Sequence, residues 1–110
     1  MKQKLSYINK IEFYLPKKIE KNIDILKMDK LKAKKLIKKI GIDSRHISDL
    51  DETSTDLGIK SALKILKNTK KDIDFLIFCT QTPSYLIPTN ACILQEKLAL
   101  PKDMGGIDII

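Results

Sequence analysis

Residues 72–83 read DIDFLIFCTQTP, and the apolar run from Phe75 to Cys79 within them decides the fold. The run is continuous rather than alternating. That is the pattern of a strand covered on both faces, so it predicts a central parallel strand. Downstream, Pro83 and Pro88 bracket a loop, and Thr89 or Asn90 opens a mostly apolar helix, ACILQEKLAL, which Pro101 stops. A last strand is expected from Ile107 to Ile110.

Upstream of the run, Thr53 and Asp56 have capping-box spacing, and Leu57, Ala62, Leu63 and Leu66 recur with helical period. This predicts a helix that ends by Asn68. Before it, IDSRHISDLDET after Gly41 reads as a polar connection. A further helix has Asp29 as N-cap, Leu31, Ala33, Leu36, Ile37 and Ile40 as its buried stripe, and Gly41 as its C-terminal stop. Its other face is Lys. Such a helix also fits a membrane surface, but the stripe is short and has no Trp or Phe, so core packing is expected. Asn22 is expected to cap a short helix holding Ile23, Ile25 and Leu26, and residues 5–15, LSYINKIEFYL, to form a first strand closed at Pro16. The order β, α, α, α, β, α, β gives an α/β domain with parallel strands. In open sheets of this kind sites lie beyond the carboxyl ends of strands, and for the last strand that position falls past Ile110.

The chain has 110 residues, 43% hydrophobic and 32% charged, which is too apolar for a disordered segment and short enough for one domain at most. Its net charge of +7 is uneven, at +9 over residues 1–40 and −2 over the rest. A basic surface suits nucleic acid, anionic lipid or a phosphorylated ligand. However, Arg45 is the one Arg and there is no Trp, which argues against nucleic-acid recognition. No apolar stretch approaches the roughly 18 residues of a membrane span, and the opening MKQKLSYINK lacks a signal's apolar run, so a cytoplasmic setting is expected. Cys79 and Cys92 then read as buried small hydrophobes rather than a disulfide, and with one His no zinc-ligand spacing exists.

The succession YLP at 14–16, Asn22 and Asp24, GIDSRHI at 41–47, DET at 51–53, DIDFLIFCTQTP at 72–83, IPTNACILQEKLAL at 87–100 and GIDII at 106–110 resembles the amino-terminal part of a β-ketoacyl-acyl-carrier-protein synthase III, in the thiolase superfamily. The resemblance covers nearly the whole chain. It implies part of one half of a layered αβαβα arrangement, in an enzyme that works as a homodimer on acyl-CoA and acyl carrier protein without a prosthetic group. It also implies a chain truncated before the catalytic Cys, which would follow the strand matched by Ile107, Asp108 and Ile109. The family's His and Asn would lie further on, so no catalytic residue is expected within residues 1–110. Cys92 matches a packing-helix Cys of the family, not its nucleophile, and His46 matches a structural position beside Arg45.

Two ligand positions follow from the same resemblance. Lys35 and Lys39 occupy places where family members hold coenzyme A with a Trp and an Arg. Lys39 keeps the charge, while Lys35 has no ring to stack on a base. The same lysines suit steering of an acidic carrier protein, and they also read as plain solvated side chains. Ile87 stands where the family places an apolar side chain against the partner subunit's acyl pocket, with core packing as its competitor. Three functions stay open: a fragment of a synthase III-like acyltransferase of fatty-acid or related lipid synthesis; a non-catalytic basic module for an acidic protein or nucleic acid; and a thiolase-superfamily synthase of the hydroxymethylglutaryl-CoA synthase type.

Overall fold

The structure is a computed structural model that describes residues 5–67 and 72–110. They fall into two compact units, Leu15–Glu52 and a second unit that joins the residues before 15 to Thr53–Ile110.

The Leu15–Glu52 unit contains β1 (Lys18–Lys21), α1 (Asn22–Ile25), α2 (Lys30–Ile40) and β2 (Ser44–Ile47). β1 and β2 pair antiparallel, with Lys18 opposite Ile47 and Lys21 opposite Ser44. The polar connection expected after Gly41 therefore holds a strand. Asn22 extends the pairing: its backbone N–H donates to Asp43 O at 2.8 Å and its Nδ2 to Ile42 O at 2.8 Å. That engagement makes it the first residue of α1 rather than the expected cap, which is Lys21. His46 sits on β2, not in a loop, with Nδ1 2.5 Å from the Pro16 carbonyl. A carbonyl only accepts, so this contact places the ring proton on Nδ1.

α2 begins and ends as expected. Asp29 Oδ2 accepts from Leu31 N at 3.0 Å and Lys32 N at 3.2 Å, which satisfies two of the free amides of the first turn. Gly41 takes a φ of 76°, which costs glycine little, and its N–H donates to Ile37 O at 2.7 Å. The stripe is narrower than expected. With about 100° between successive residues, Ala33, Leu36, Ile37 and Ile40 share one side, while Leu31 falls on the opposite side among Lys34, Lys35 and Lys38. Ala33 is buried and Leu36 and Ile37 half-buried, but Ile40 is exposed and Leu31 is 70% exposed.

The second unit contains α3 (Ser54–Ile65), β3 (Phe75–Cys79), α4 (Asn90–Lys97) and β4 (Gly105–Ile109). β3 and β4 pair in parallel, with Phe75 opposite Gly105 and Cys79 opposite Ile109, and α4 lies between them in sequence. Bonds from Gly105 N to Asp74 O and from Thr80 N to Ile109 O close the ladder's two ends. Leu66, Leu94, Leu98 and Leu100 form the core, with Ile59, Ala62, Ile73, Leu76, Phe78 and Met104 packed against it. α3 approaches β3 so closely that a Cβ on Gly58 would stand 2.9 Å from the Phe78 ring.

Three expectations change here. β3 is covered on one face: Leu76 and Phe78 pack on the core, whereas Phe75, Ile77 and Cys79 alternate onto an exposed face beside Ile107 and Ile109. Residues 5–15 form no strand. Their β-rich composition finds no ladder partner among the described residues, and residues 10–14 rest on α3 through lysines instead. Lys64 Nζ donates to Phe13 O at 2.7 Å, Lys10 Nζ donates to Lys64 O at 3.0 Å, and Lys60 Nζ lies 4.8 Å from the Tyr14 ring centre. α4 stops at Lys97, short of Pro101, where Ala99 takes a φ of 52°. The capping box at Thr53 and the cap at Thr89 form as expected. The expected helix limit at Asn68 lies outside the described residues.

Candidate functional site

β4 carries one acid in GGIDI, and that acid organises the start of α4. Asp108 Oδ2 accepts from Asn90 N at 2.7 Å and from Asn90 Nδ2 at 2.9 Å, while Oδ1 accepts from Ala91 N at 2.8 Å. A carboxylate at a helix N-terminus meets both free amides and the positive end of the helix dipole. Burial pushes the Asp108 pKa up, but the hydrogen bonds from Asn90 and then Ala91 outweigh it and hold the carboxyl below its ordinary value.

Asn90 is fully buried and uses its whole amide. Its Oδ1 accepts from Thr55 Oγ1 at 2.9 Å and from Ser84 N at 3.0 Å, and its Nδ2 also reaches Tyr85 O at 3.5 Å. Thr55 gives its single hydroxyl proton to Asn90, so the Ser84 hydroxyl, 2.9 Å away, is the donor to Thr55. Ser54 Oγ donates to Thr82 O at 2.6 Å. The loop after β3 is thus tied to α3, α4 and β4 by polar contacts. Ile87 sits near its end, 89% exposed on an anchored base. The sequence carried a signal for this network in a lone Asp within an apolar strand and an Asn beside a helix cap, but its expectations did not include the network.

Lys35 and Lys39 are exposed one turn apart on α2. They flank neither wall of the cavity of about 520 Å³ in their unit, which is lined by Ile23, Lys34, Ile37, Lys38, Gly41 and Asp43. α2 contains six lysines and no acid.

The cysteines are exposed, against expectation. Cys79 follows the outward register of Phe75 and Ile77. Cys92 lies in the first turn of α4, where Thr89 Oγ1 donates to its Sγ at 3.1 Å. Cys92 also borders an apolar cavity of about 350 Å³ with Pro88, Ile93, Glu96 and Lys97. Among the described residues no three His, Cys, Asp or Glu side chains gather as a metal site, and no helix is long and apolar enough to cross a membrane.

Comparison with known proteins gives this geometry its context. No family model matches the chain. A β-ketoacyl-[acyl-carrier-protein] synthase III of Sulfurovum sp. (strain NBC37-1) is 37% identical over 100 residues, covering 87% of this chain and 29% of the relative. The corresponding synthase III 2 of Halalkalibacterium halodurans is 32% identical over 105 residues, covering 93% of this chain and 31% of the relative. A crystal structure of a 3-oxoacyl-(acyl-carrier-protein) synthase III superposes with a TM-score of 0.76 at 33% identity, covering 89% of this chain and 30% of that one. The chain thus spans about 30% of the length of the proteins it matches. Sequence and backbone agree over that part, where the chain is similar to β-ketoacyl-[acyl-carrier-protein] synthase III proteins and has a partial thiolase-like fold.

Proposed function

We propose that this chain is the amino-terminal part of a synthase III-like acyltransferase, truncated before its catalytic Cys and inactive by itself. In the whole enzyme a Cys following β4 takes the acyl group from acyl-CoA, and a His and an Asn support decarboxylation of malonyl-carrier protein. The carbanion then attacks the acyl-enzyme. The reaction belongs to fatty-acid or related lipid synthesis and needs no prosthetic group.

The observation that carries this reading is the match itself, at 37% identity over 87% of this chain but 29% of the relative. The setting of Cys92 supports it. The positive end of α4 already holds the Asp108 carboxylate, which accepts from the amides of Asn90 and Ala91, the two residues before Cys92. Lys35 and Lys39 meet coenzyme A or the carrier protein at the entrance. Ile87 reaches toward the acyl pocket of a second subunit, for which its exposure on a tied loop is suited.

Intact-mass measurement of the 110-residue chain after incubation with acyl-CoA tests the reading. No acyl adduct is expected. A stoichiometric adduct on Cys92 or Cys79 would place the nucleophile within the chain and defeat the proposal.

A further inference from the structure

The cavity of about 520 Å³ framed by α1, α2 and the turn after α2 lies wholly within Leu15–Glu52, and Lys35 and Lys39 take no part in it. Ile23 on α1 and Ile37 on α2, both half-buried, supply its apolar surface. Lys34 and Lys38 border it one turn apart on α2, and Asp43 borders it past Gly41, all three of them exposed. Gly41 has open space where a Cβ would go, so no side chain fills the wall there. Among the described residues none of these three charged side chains makes an ion pair or a hydrogen bond, whereas Lys10 pairs with Glu12, Lys18 with Glu20 and Lys97 with Asp56. Charges of both signs thus border one cavity without meeting each other. The two lysines also repel, being like charges four residues apart on a helix. A concave apolar surface with a few convergent polar groups is the common form of a small-molecule site, and this volume falls in the usual range.

We infer that this cavity binds a small zwitterion whose opposite charges are separated by a short methylene chain, an ω-amino acid being the simplest such ligand. Its carboxylate lies between the ammonium groups of Lys34 and Lys38 and offsets their repulsion. Its ammonium meets the Asp43 carboxylate, and its methylenes cover Ile23 and Ile37. Other small ligands leave part of this arrangement unused or opposed. Inorganic phosphate suits the two lysines but brings further negative charge toward Asp43. A divalent cation finds a lone carboxylate beside two ammonium groups, which is no ligand set for it. An α-amino acid carries both charges at one end, which leaves no apolar stretch between them for the isoleucines.

The inference goes beyond the reading above and does not rest on it, since the site uses none of the residues given to acyl transfer. The test titrates the whole 110-residue chain with ε-aminocaproate, caproate, hexylamine and inorganic phosphate, by calorimetry and by amide chemical shifts, at about 50 and 300 mM salt. Binding of ε-aminocaproate that is about tenfold tighter than that of the other three, weakens with salt and shifts the amides of Ile23, Lys34, Ile37, Lys38, Gly41 and Asp43 is expected. Lys34→Gln with Lys38→Gln should weaken it about tenfold. Asp43→Asn should weaken ε-aminocaproate by a similar factor while leaving caproate bound as well as before or better. Should the double variant disturb the helical circular dichroism, Lys34→Gln alone makes the same comparison with a smaller loss. The inference is overturned by absence of ε-aminocaproate binding, by equal affinity for caproate, hexylamine or phosphate, or by wild-type affinity in the charge variants.

Discussion

Asp108 and Asn90 hold each other from both sides: one oxygen of the Asp108 carboxylate accepts from the backbone N–H and from the side-chain amide of Asn90, at 2.7 and 2.9 Å. Through Asn90 the strand end is tied to Thr55 on α3 and to Ser84 in the loop that leads to Ile87. Replacing Asp108 with Ala leaves buried amide donors without a partner. Destabilisation of about 1–3 kcal/mol is expected in urea unfolding, the usual cost of an unmet buried polar group. An unchanged urea midpoint would contradict the role given to this pair.

The same carboxylate makes stability depend on acid. Asp108 and Asp56 are both held below the ordinary carboxylate value, Asp56 first by the Thr53 hydroxyl and then by the Thr53 amide. A group whose pKa is lower folded than unfolded contributes its stability above the unfolded value and loses it as pH falls through the folded one. The urea midpoint should therefore hold steady above the ordinary carboxylate range and drop below it. In Asp108→Asn and Asp56→Asn that acid limb should flatten, which a pH series on the three proteins reads directly.

Gly41 terminates α2 in a left-handed conformation with open space where a Cβ would go. Gly41→Ala meets no steric neighbour, so its effect isolates the backbone preference and should cost about 1–2 kcal/mol. A neutral result would mean that the chain leaves α2 by another route.

Both thiols should react with a disulfide reagent such as Ellman's in the native state, because Cys79 and Cys92 are exposed. Reaction of two thiols per chain without denaturant is expected. Release of either thiol only in denaturant would restore the buried assignment drawn from sequence.

The caps were legible in the sequence because each is a local device: Asp29, Thr53 and Thr89 all accept from amides two or three residues ahead. The Phe75–Cys79 strand and its parallel partner were legible as apolar runs. β1 and β2 were not. KIEK and SRHI hold four residues each, mostly polar, and it is their mutual pairing rather than any hydrophobic alternation that makes them strands. Residues 5–15 failed in the opposite sense, since strand composition yields no ladder without a partner. Leu31 was misplaced because an apolar residue at i−5 from Leu36 counts toward a stripe in a linear reading, although it lies across the helix. The Asp108–Asn90 pair joins positions 18 apart, and a contact of that range has no local signature.

The central claim is that residues 1–110 are the opening part of a synthase III whose nucleophile comes after β4. The most direct measurement joins this chain, in frame, to the remaining part of the Sulfurovum relative and maps the acyl adduct by peptide mass spectrometry after treatment with acyl-CoA. The account predicts a single adduct on the relative's Cys beyond the junction. An adduct on Cys92 or Cys79, or a folded chimera that takes up no acyl group, would contradict it.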